Sequence, residues 1–391
     1  MRIAGIIAEY HPFHAGHAWQ LARARQLGAE TIIVAMSSGM VQRGGVPLLP
    51  DAVRVQAALE AGADLVLALP APCAASGAES FAAAGVRILA AAGCDTLVFG
   101  TESADAAGCA AAAQALCSPA YTEALRGLLA QGTRSFAAAR QAALQAVCPQ
   151  AAALVQSPND NLGVEYARAN LLQNTGLALC PLPRQGVGHH DGASGSFASA
   201  SYLRQLWYTD GPAALASYVP PHALALYQAA EEAGQALDPA AVDQAVVSRL
   251  RMQLPRGFGQ VRGVSEGLDF ALEKAVRSCT TVDEICDRLT TSRYPRARMR
   301  RLVWDAAMGW GREVDIPVPY LHVLGARRSA MPLLARMQLP ADVSLARLEK
   351  QNPACAGMAA AQAAAVDLGV LCRETKGPMG TAYTQMSVIL P

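Results

Sequence analysis

Four short apolar runs, each followed by helical periodicity, occupy the first hundred residues of this chain. The runs are Ile3–Ala8, Thr31–Met36, Asp64–Leu69 and Thr96–Phe99, and helical patterns lie between them at His17–Leu27, Asp51–Ala61 and Glu79–Ala92. A nearly continuous apolar run suits a strand covered on both faces. Strands that alternate with helices imply right-handed crossovers and a parallel sheet. The expected fold class is therefore α/β, with a Rossmann-like, doubly wound parallel sheet. Ligands of such sheets sit beyond the carboxyl ends of the strands.

The first run ends in His11-Pro12-Phe13-His14-Ala15-Gly16-His17, which leads into a helix beginning near His17. His14-x-Gly16-His17 thus occupies a strand-to-helix turn at the ligand end of the sheet. A helix N-terminus offers unpaired N–H donors and a positive dipole end, both suited to phosphate. Glycine allows close backbone approach. Two imidazoles three positions apart can face the same phosphates, and donors aimed at developing charge lower a phosphoryl-transfer barrier. The bland alternative is an incidental histidine cluster.

A second constellation is Phe197-Ala198-Ser199-Ala200-Ser201-Tyr202-Leu203-Arg204. Serines at a helix start can cap it and donate to a phosphate, with an arginine one turn in. Alone, a capped surface helix explains it as well. Beside H-x-G-H it resembles the S-[SA]-[ST]-x-[IL]-R motif that closes on the β and γ phosphates in nucleotidyltransferases.

The 391 residues suffice for two or three domains. Gly211-Pro212 and Pro220-Pro221 mark the expected boundary, giving a catalytic domain over 1–210 and a mainly α-helical C-terminal domain over 211–391. The alanine-rich stretch Ala104–Ala153 reads as helical throughout, and Tyr383–Leu390 as a strand-like tail. The ten cysteines form no C-x-x-C and are expected to be reduced core residues; no metal ligand set is expected. The apolar stretch Ala71–Ala92 is interrupted by Glu79 and Arg87 and reads as helix, not membrane span. The chain opens directly into a strand with no signal-peptide pattern, so a cytoplasmic protein is expected. Net charge is only +1, yet Arg249–Arg301 holds twelve Lys/Arg against six Asp/Glu, a mild sign of a polyanion partner.

Gly5-Ile6-Ile7-Ala8-Glu9-Tyr10-His11-Pro12-Phe13-His14-Ala15-Gly16-His17 resembles the opening of the tRNA(Met) cytidine acetate ligase family, G-[IV]-[IV]-x-E-Y-N-P-F-H-N-G-H. Further matches follow in order: Met36-Ser37-Ser38-Gly39 with Val41-Gln42-Arg43-Gly44, Asp64-Leu65-Val66 with Leu69-Pro70, Phe99-Gly100-Thr101-Glu102 and Pro158-Asn159-Asp160-Asn161-Leu162-Gly163. Then come Arg184-Gln185-Gly186-Val187-Gly188-His189-His190-Asp191, the serine–arginine motif, Ser265-Glu266-Gly267-Leu268, Ser292-Arg293-Tyr294 and Tyr320-Leu321-His322-Val323-Leu324-Gly325. The likeness covers nearly the whole chain.

The resemblance implies an HxGH-type nucleotidyltransferase fold and a two-step reaction. Acetate and ATP form acetyl-adenylate; the acetyl group then passes to N4 of the wobble cytidine of elongator tRNA(Met), giving N4-acetylcytidine. The implied ATP site comprises Ile7, Ala8, Glu9, Tyr10, His11, Pro12, Phe13, His14, Ala15, Gly16, His17, Ala18, Trp19, Gln20, Gly100, Asn159, Arg184 and Gln185. His14 and His17 would be catalytic contacts to the phosphates, and Ser199, Ser201 and Arg204 would close around pyrophosphate. Mg²⁺ is chemically reasonable with ATP, with no protein ligands assigned. Two departures stand out. His11 and Ala15 replace family asparagines, and of the basic residues opening the second helix only Arg54 remains. His11 can hydrogen-bond in place of asparagine and can also protonate near neutral pH.

Arg293, Arg296, Arg298, Arg300 and Arg301, near Tyr294 and Trp304, form the candidate tRNA surface, against the alternative of a solvated helix face and a core tryptophan. Arg43 could face the triphosphate or solvent, and Asp191 could orient an imidazole, bind Mg²⁺ or simply make a turn. Two other functions use the same motifs: a small-molecule adenylyltransferase or cytidylyltransferase of cofactor synthesis, and a catalytically idle RNA-binding protein. The long basic C-terminal half disfavours the first, and the retained histidines, serines and arginine disfavour the second.

Overall fold

The structure is a computed structural model, and it describes residues 1–131, 135–184 and 193–391. Among the described residues the strands are β1 Ile3–Ala8, β2 Thr31–Ser37, β3 Leu65–Leu69, β4 Thr96–Thr101, β5 Ala178–Pro183, β6 Ala193–Ser194, β7 Phe197–Ala198, β8 Leu321–Arg327, β9 Ala341–Asp342 and β10 Val388–Leu390. The main sheet runs β10-β8-β3-β2-β1-β4-β5, with β9 beside β8. β1 to β5 are mutually parallel, with Ile6 opposite Val34 and Phe99 opposite Pro181. β6 and β7 form a separate antiparallel pair.

The continuous apolar runs have the expected cause. Ile33, Ala35, Leu67 and Leu97 enter one core, and Ile32, Val34, Val66 and Val98 enter the other. Successive side chains of a strand point to opposite faces, so a sheet covered on both faces makes every position apolar. Helix Ala78–Ala91 packs on the first face through Phe81, Val86 and Ile88. Helices Ala15–Gln26 and Asp51–Glu60 cover the second through Leu21, Ala24, Val55 and Leu59. Chain order reverses between β1 and β4, so the switch point falls where the H-x-G-H turn begins.

The sheet is not wholly parallel. β8 lies antiparallel on β3, and β10 runs parallel to β8. The polypeptide beyond residue 210 is mainly helical, yet it adds three strands, β8, β9 and β10, to the sheet. A short apolar run such as Leu321-His322-Val323-Leu324 carries no period that separates strand from buried helix. The pairing partner β3, about 260 residues upstream in sequence, decides its conformation.

The alanine-rich stretch divides into helices Ala106–Leu116, Pro119–Ala130 and Phe136–Val147, with a short 3₁₀ turn Pro149–Ala151. Ser118 and Ser135 cap the second and third, and a pre-proline residue and a new cap interrupt what composition alone reads as one element. The tail splits likewise, into helix Thr381–Thr384 and β10. A third core, built from Val246, Leu250, Leu272, Ile285, Met299 and Trp304, binds the C-terminal helices together. All ten cysteines are free, and Cys117 alone is exposed. Helix Pro353–Leu371 is long and apolar enough by composition to cross a membrane; half of it is buried against neighbouring elements.

Candidate active site

β1 ends at Ala8, and the next residues make an abrupt exit. Tyr10 has a left-handed backbone (φ 48°) and the His11–Pro12 peptide is cis. Helix Ala15–Gln26 then starts with His14 as its N-cap. The two histidines serve each other. Nδ1 of His14 accepts the Gly16 N–H at 3.1 Å, and Nδ1 of His17 accepts the His14 N–H at 3.3 Å. Their rings stack, with centroids 3.8 Å apart and planes 22° from parallel. Tyr10 and Phe13 pack around His17 at 4.8 and 5.6 Å.

This arrangement corrects one expectation. The helix start does not offer free backbone N–H groups. Ala15 N–H donates to the Tyr218 carbonyl, and those of His17 and Ala18 to the His14 carbonyl. What remains for a ligand is on the imidazoles. With each Nδ1 accepting, the neutral ring carries its proton on Nε2. Burial drives the His14 pKa down to about 3 with the Arg184 cation adding to the effect, and it drives His17 well below its usual value, helped by His14 and Arg184. Both rings are therefore neutral donors at neutral pH.

Gly16 is required here for close approach. A Cβ on it would lie 2.9 Å from His14 Cε1 and 3.1 Å from its Nδ1.

His11 also differs from expectation. It does not protonate near neutral pH. Burial, with the nearby cations Arg204, Arg54 and Arg300, holds its pKa well below the ordinary value. Its Nδ1 accepts the Leu48 N–H at 3.0 Å, so this imidazole ties the loop after β2 to the H-x-G-H turn. Arg54 does not reach the cavity. It is fully buried, donating to the carbonyls of Glu9 and Ser37 at 2.6 and 2.9 Å and pairing with Asp51 at 2.5 Å.

A cavity of about 580 Å³ opens over the carboxyl ends of β1 and β4. Of the expected ATP-site residues, Ile7, Ala8, Glu9, Tyr10, His11, His14, Gly16, His17, Trp19, Gln20, Gly100, Asn159, Arg184, Ser199, Ser201 and Arg204 line it. Pro12 and Phe13 are buried behind the turn, and Ala15 and Ala18 belong to the helix without lining the cavity. Gln185 and Asp191, with His189 and His190, lie outside the described residues.

The second motif closes the opposite wall. Ser199 caps helix Ala200–Asp210 by accepting the Tyr202 N–H, and its hydroxyl lies 3.2 Å from that of Ser201. Arg204 Nη1 donates to the His11 carbonyl at 2.8 Å, which fastens the two motifs together. Elsewhere on the cavity wall a relay orients Arg184. Glu102 accepts from Asn159 Nδ2 at 2.6 Å, and Asn159 Oδ1 accepts from Arg184 at 3.1 Å.

Glu9 sits in the floor. Burial raises its pKa, opposed by its hydrogen bond from the Gln42 N–H (2.5 Å) and by Arg204, Arg54 and Arg43.

Several lining residues were not singled out from sequence: Gln42, Gly44, Gly45, Tyr166 and Asp283; Trp304, named beside the candidate tRNA arginines, lines the cavity too. Only the match of Val41–Gly44 to a family motif pointed to any of them. Arg43, a candidate from sequence, lines the cavity as well.

The five C-terminal arginines do not form one free basic face. Arg293 pairs with Glu266, while Arg296 and Arg300 share Asp283. Arg298 lies over the Tyr294 ring at 4.9 Å. Arg301 is half-buried, its pKa lowered by burial and opposed by Asp305. Only Arg296 and Arg300 reach the cavity. Trp304 is fully buried, as a core tryptophan should be, and still contributes to the wall. Among the described residues, no group of three or more His, Cys, Asp or Glu gathers as a metal site.

A mostly parallel sheet with a histidine-capped turn at its switch point, faced by a serine–arginine helix, suits a nucleotidyltransferase, and residues 1–376 match the HIGH Nucleotidyl Transferase family, to which the chain belongs. Relatives narrow the group. The tRNA(Met) cytidine acetate ligase of Listeria monocytogenes serotype 4b (strain CLIP80459) is 30% identical over 95% of each chain. That of Syntrophomonas wolfei is 31% identical over 88% of this chain and 86% of its own. The apo crystal structure of Thermotoga maritima TmcAL superposes with a TM-score of 0.91, at 25% identity and full coverage of both chains. A second crystal structure of that protein has alpha-thio ATP bound. Within the nucleotidyltransferases, the chain is thus a member of the tRNA(Met) cytidine acetate ligase family, a family of ligases.

Proposed function

We propose that this chain activates acetate with ATP and transfers the acetyl group to N4 of the wobble cytidine of elongator tRNA(Met). The observation that carries the reading is the pair of half-buried, neutral imidazoles, His14 and His17. Capping occupies each Nδ1, and among the described residues no partner takes their Nε2–H groups. Neutral donors held in a preorganised, water-poor site stabilise charge on a phosphate without reorganising at the moment of reaction. The family name of the relatives supports the choice of acetate and tRNA(Met).

In the first step a carboxylate oxygen of acetate bonds to the α-phosphorus. The bond from that phosphorus to the bridging oxygen breaks, and pyrophosphate leaves with the electron pair. His14 and His17 donate to the phosphates, while Ser199, Ser201 and Arg204 hold the departing pyrophosphate. Asn159 and Arg184 grip the nucleoside side, oriented by Glu102. In the second step cytidine N4 bonds to the acetyl carbon, the carbon–oxygen bond to AMP breaks, and N4 gives up a proton. Mg²⁺ would travel on the triphosphate, since no set of protein ligands is assigned to it. Among the lining residues five arginines, at 43, 184, 204, 296 and 300, stand against Glu9 and Asp283, an excess of three positive charges if both acids are ionised. That balance suits a polyanion. The mainly helical region 211–391 would present the tRNA, and the reaction would be cytoplasmic.

Exchange of labelled pyrophosphate into ATP, with and without acetate, tests the reading. Acetate-dependent exchange followed by acetylation of tRNA(Met) is expected. Exchange with some other acceptor but never with acetate would mark a small-molecule adenylyltransferase or cytidylyltransferase. No exchange together with tRNA binding would mark an idle RNA-binding protein.

A further inference from the structure

Acetyl transfer to cytidine N4 releases a proton, and the groups that line the cavity differ in whether they can take it. The exocyclic amine of cytosine is a poor nucleophile, because its lone pair is delocalised into the ring. A positioned base that removes the proton as the amine attacks speeds such a step.

Among the described lining residues, most titratable groups are already committed. His14, His17 and His11 each accept a backbone N–H on Nδ1, from Gly16, His14 and Leu48, so each neutral ring carries its proton on Nε2. Burial raises the pKa of the Tyr10 and Tyr166 phenols, which stay protonated. The two acids are Glu9 and Asp283. Asp283 lies at the exposed rim and is held by Arg296 and Arg300 at 3.1 and 2.7 Å.

Glu9 is the group that remains, and it is held from two sides. Its backbone carbonyl accepts from Arg54 at 2.6 Å, and its Oε1 accepts the Gln42 N–H at 2.5 Å. Among the described residues Oε2 accepts no hydrogen bond. Burial raises the proton affinity of the carboxylate, while the Gln42 N–H and the cations Arg204, Arg54 and Arg43 favour its ionised form. Its place in the sheet is also apt. Glu9 directly follows β1, which has β2 on one side and β4 and β5 on the other. Arg184, proposed to grip the nucleoside, follows β5, whereas Gln42 follows β2. The carboxylate thus lies between the phosphate motifs and the side of the cavity to which no nucleoside contact is assigned.

From this elimination we infer that Glu9 is the general base of the transfer step: its Oε2 accepts a hydrogen bond from cytidine N4 and takes the proton as N4 attacks the acetyl carbon. The assignment rests on the proposed ligase reading and gives the released proton a destination. The N4–carbon bond forms. The bond from that carbon to the AMP oxygen breaks, and its electron pair leaves with AMP. The proton ends on Glu9 and passes to water after the products depart. A carboxylate is also the side chain that matches cytosine N4 by hydrogen bonding.

The test is a single turnover with acetate, ATP and tRNA(Met), the enzyme in saturating excess so that tRNA binding does not limit the rate. In a parallel reaction hydroxylamine replaces tRNA. It attacks an acyl-adenylate without an enzymatic base, so acetohydroxamate reports adenylate formation. Glu9→Gln keeps an acceptor for the Gln42 N–H and removes the base. Its transfer to tRNA should fall by about 10²-fold or more, and at least about thirtyfold more than its hydroxamate formation. Glu9→Asp keeps a carboxylate, set back by one methylene. With each transfer rate divided by the same variant's hydroxamate rate, Glu9→Asp should exceed Glu9→Gln by at least about tenfold. Equal losses of transfer and hydroxamate in Glu9→Gln, or equal normalised transfer in the two variants, would overturn the assignment. If Glu9→Gln does not fold, Glu9→Asp decides alone: a transfer loss no larger than its hydroxamate loss refutes the base. An unmodified enzyme that makes no acetohydroxamate and shows no acetate-dependent exchange refutes the ligase reading itself. Normal hydroxamate with indifferent variants removes only the role of Glu9.

Discussion

Nδ1 of His17 accepts the backbone N–H of His14, while Nδ1 of His14 accepts the N–H of Gly16. Two side chains that line the cavity are thus also the cap of their own helix. The capping fixes each tautomer and aims each Nε2–H outward, so structure and chemistry cannot be separated at this pair.

His17→Ala should therefore have two effects. Loss of a cap acceptor costs about 1 kcal/mol of stability. Loss of one phosphate donor should lower pyrophosphate exchange by about 10²–10³-fold. A thermal melt and an exchange assay on the same preparation check both. Exchange at the parent rate in a folded variant would remove His17 from the phosphate site.

Gly16→Ala separates the two roles. Alanine is the better helix former by up to about 1 kcal/mol, so helix propensity alone favours the change. The new Cβ would press on the His14 ring at 2.9 Å. Exchange should fall at least about tenfold, since small misplacements of a catalytic group are costly. Steady-state kinetics with ATP varied would detect it.

The histidines set a pH dependence. His14 (pKa about 3), His322 (about 4), and His11 and His17 (well below normal) are all depressed, by burial first. The unfolded chain takes up protons near pH 6.5 that the folded chain refuses, so stability is complete above that value and is lost as pH falls. From pH 8 to pH 6 the loss should be on the order of 2–3 kcal/mol for the four rings. Asp305, raised to about 6 by burial, acts in the opposite sense, because its folded state binds the proton first. Burial also raises Glu9. Both acids offset part of the loss from about pH 6 downward. Urea midpoints at pH 8 and pH 6 test the sign; a midpoint that holds or rises toward pH 6 contradicts it.

Arg204→Lys should impair ATP use more than the retained charge suggests. Arg204 spends one nitrogen on the His11 carbonyl, and its side chain lines the cavity where a phosphate is proposed to sit. Lysine is a point donor that cannot span both. An increase of at least about tenfold in the KM for ATP is expected. An unchanged KM would leave Arg204 with only its structural bond.

Arg262 ties the C-terminal helices to the segment after β3. It pairs with buried Asp305 at 2.6 Å and donates to the carbonyl of Pro72 at 2.9 Å. Arg262→Ala strands that carboxylate, at a cost of about 3–5 kcal/mol. Chemical denaturation would read the loss, and Arg262→Ala with Asp305→Ala should recover part of it.

Much of this was legible from the residues alone. Apolar runs without alternation announced a sheet covered on both faces, because strand period and double burial leave no polar position. Local signals also marked the H-x-G-H turn and the serine cap at Ser199, since capping is a matter of a few neighbouring residues. Such signals fixed the chemistry available: imidazoles, serines and an arginine at two helix starts. Tertiary structure alone decided how those groups are used. β8 is a strand because β3 lies beside it. His11 stays neutral because distant cations and burial surround it. The Ala15 N–H at the start of the first helix is taken because the Tyr218 carbonyl reaches it. Arg54 is a core residue, while Arg296, Arg300 and Trp304 come from far along the chain to the wall of one cavity. Burial, field and pairing partners arise from contacts between segments remote in sequence, and no local pattern encodes them.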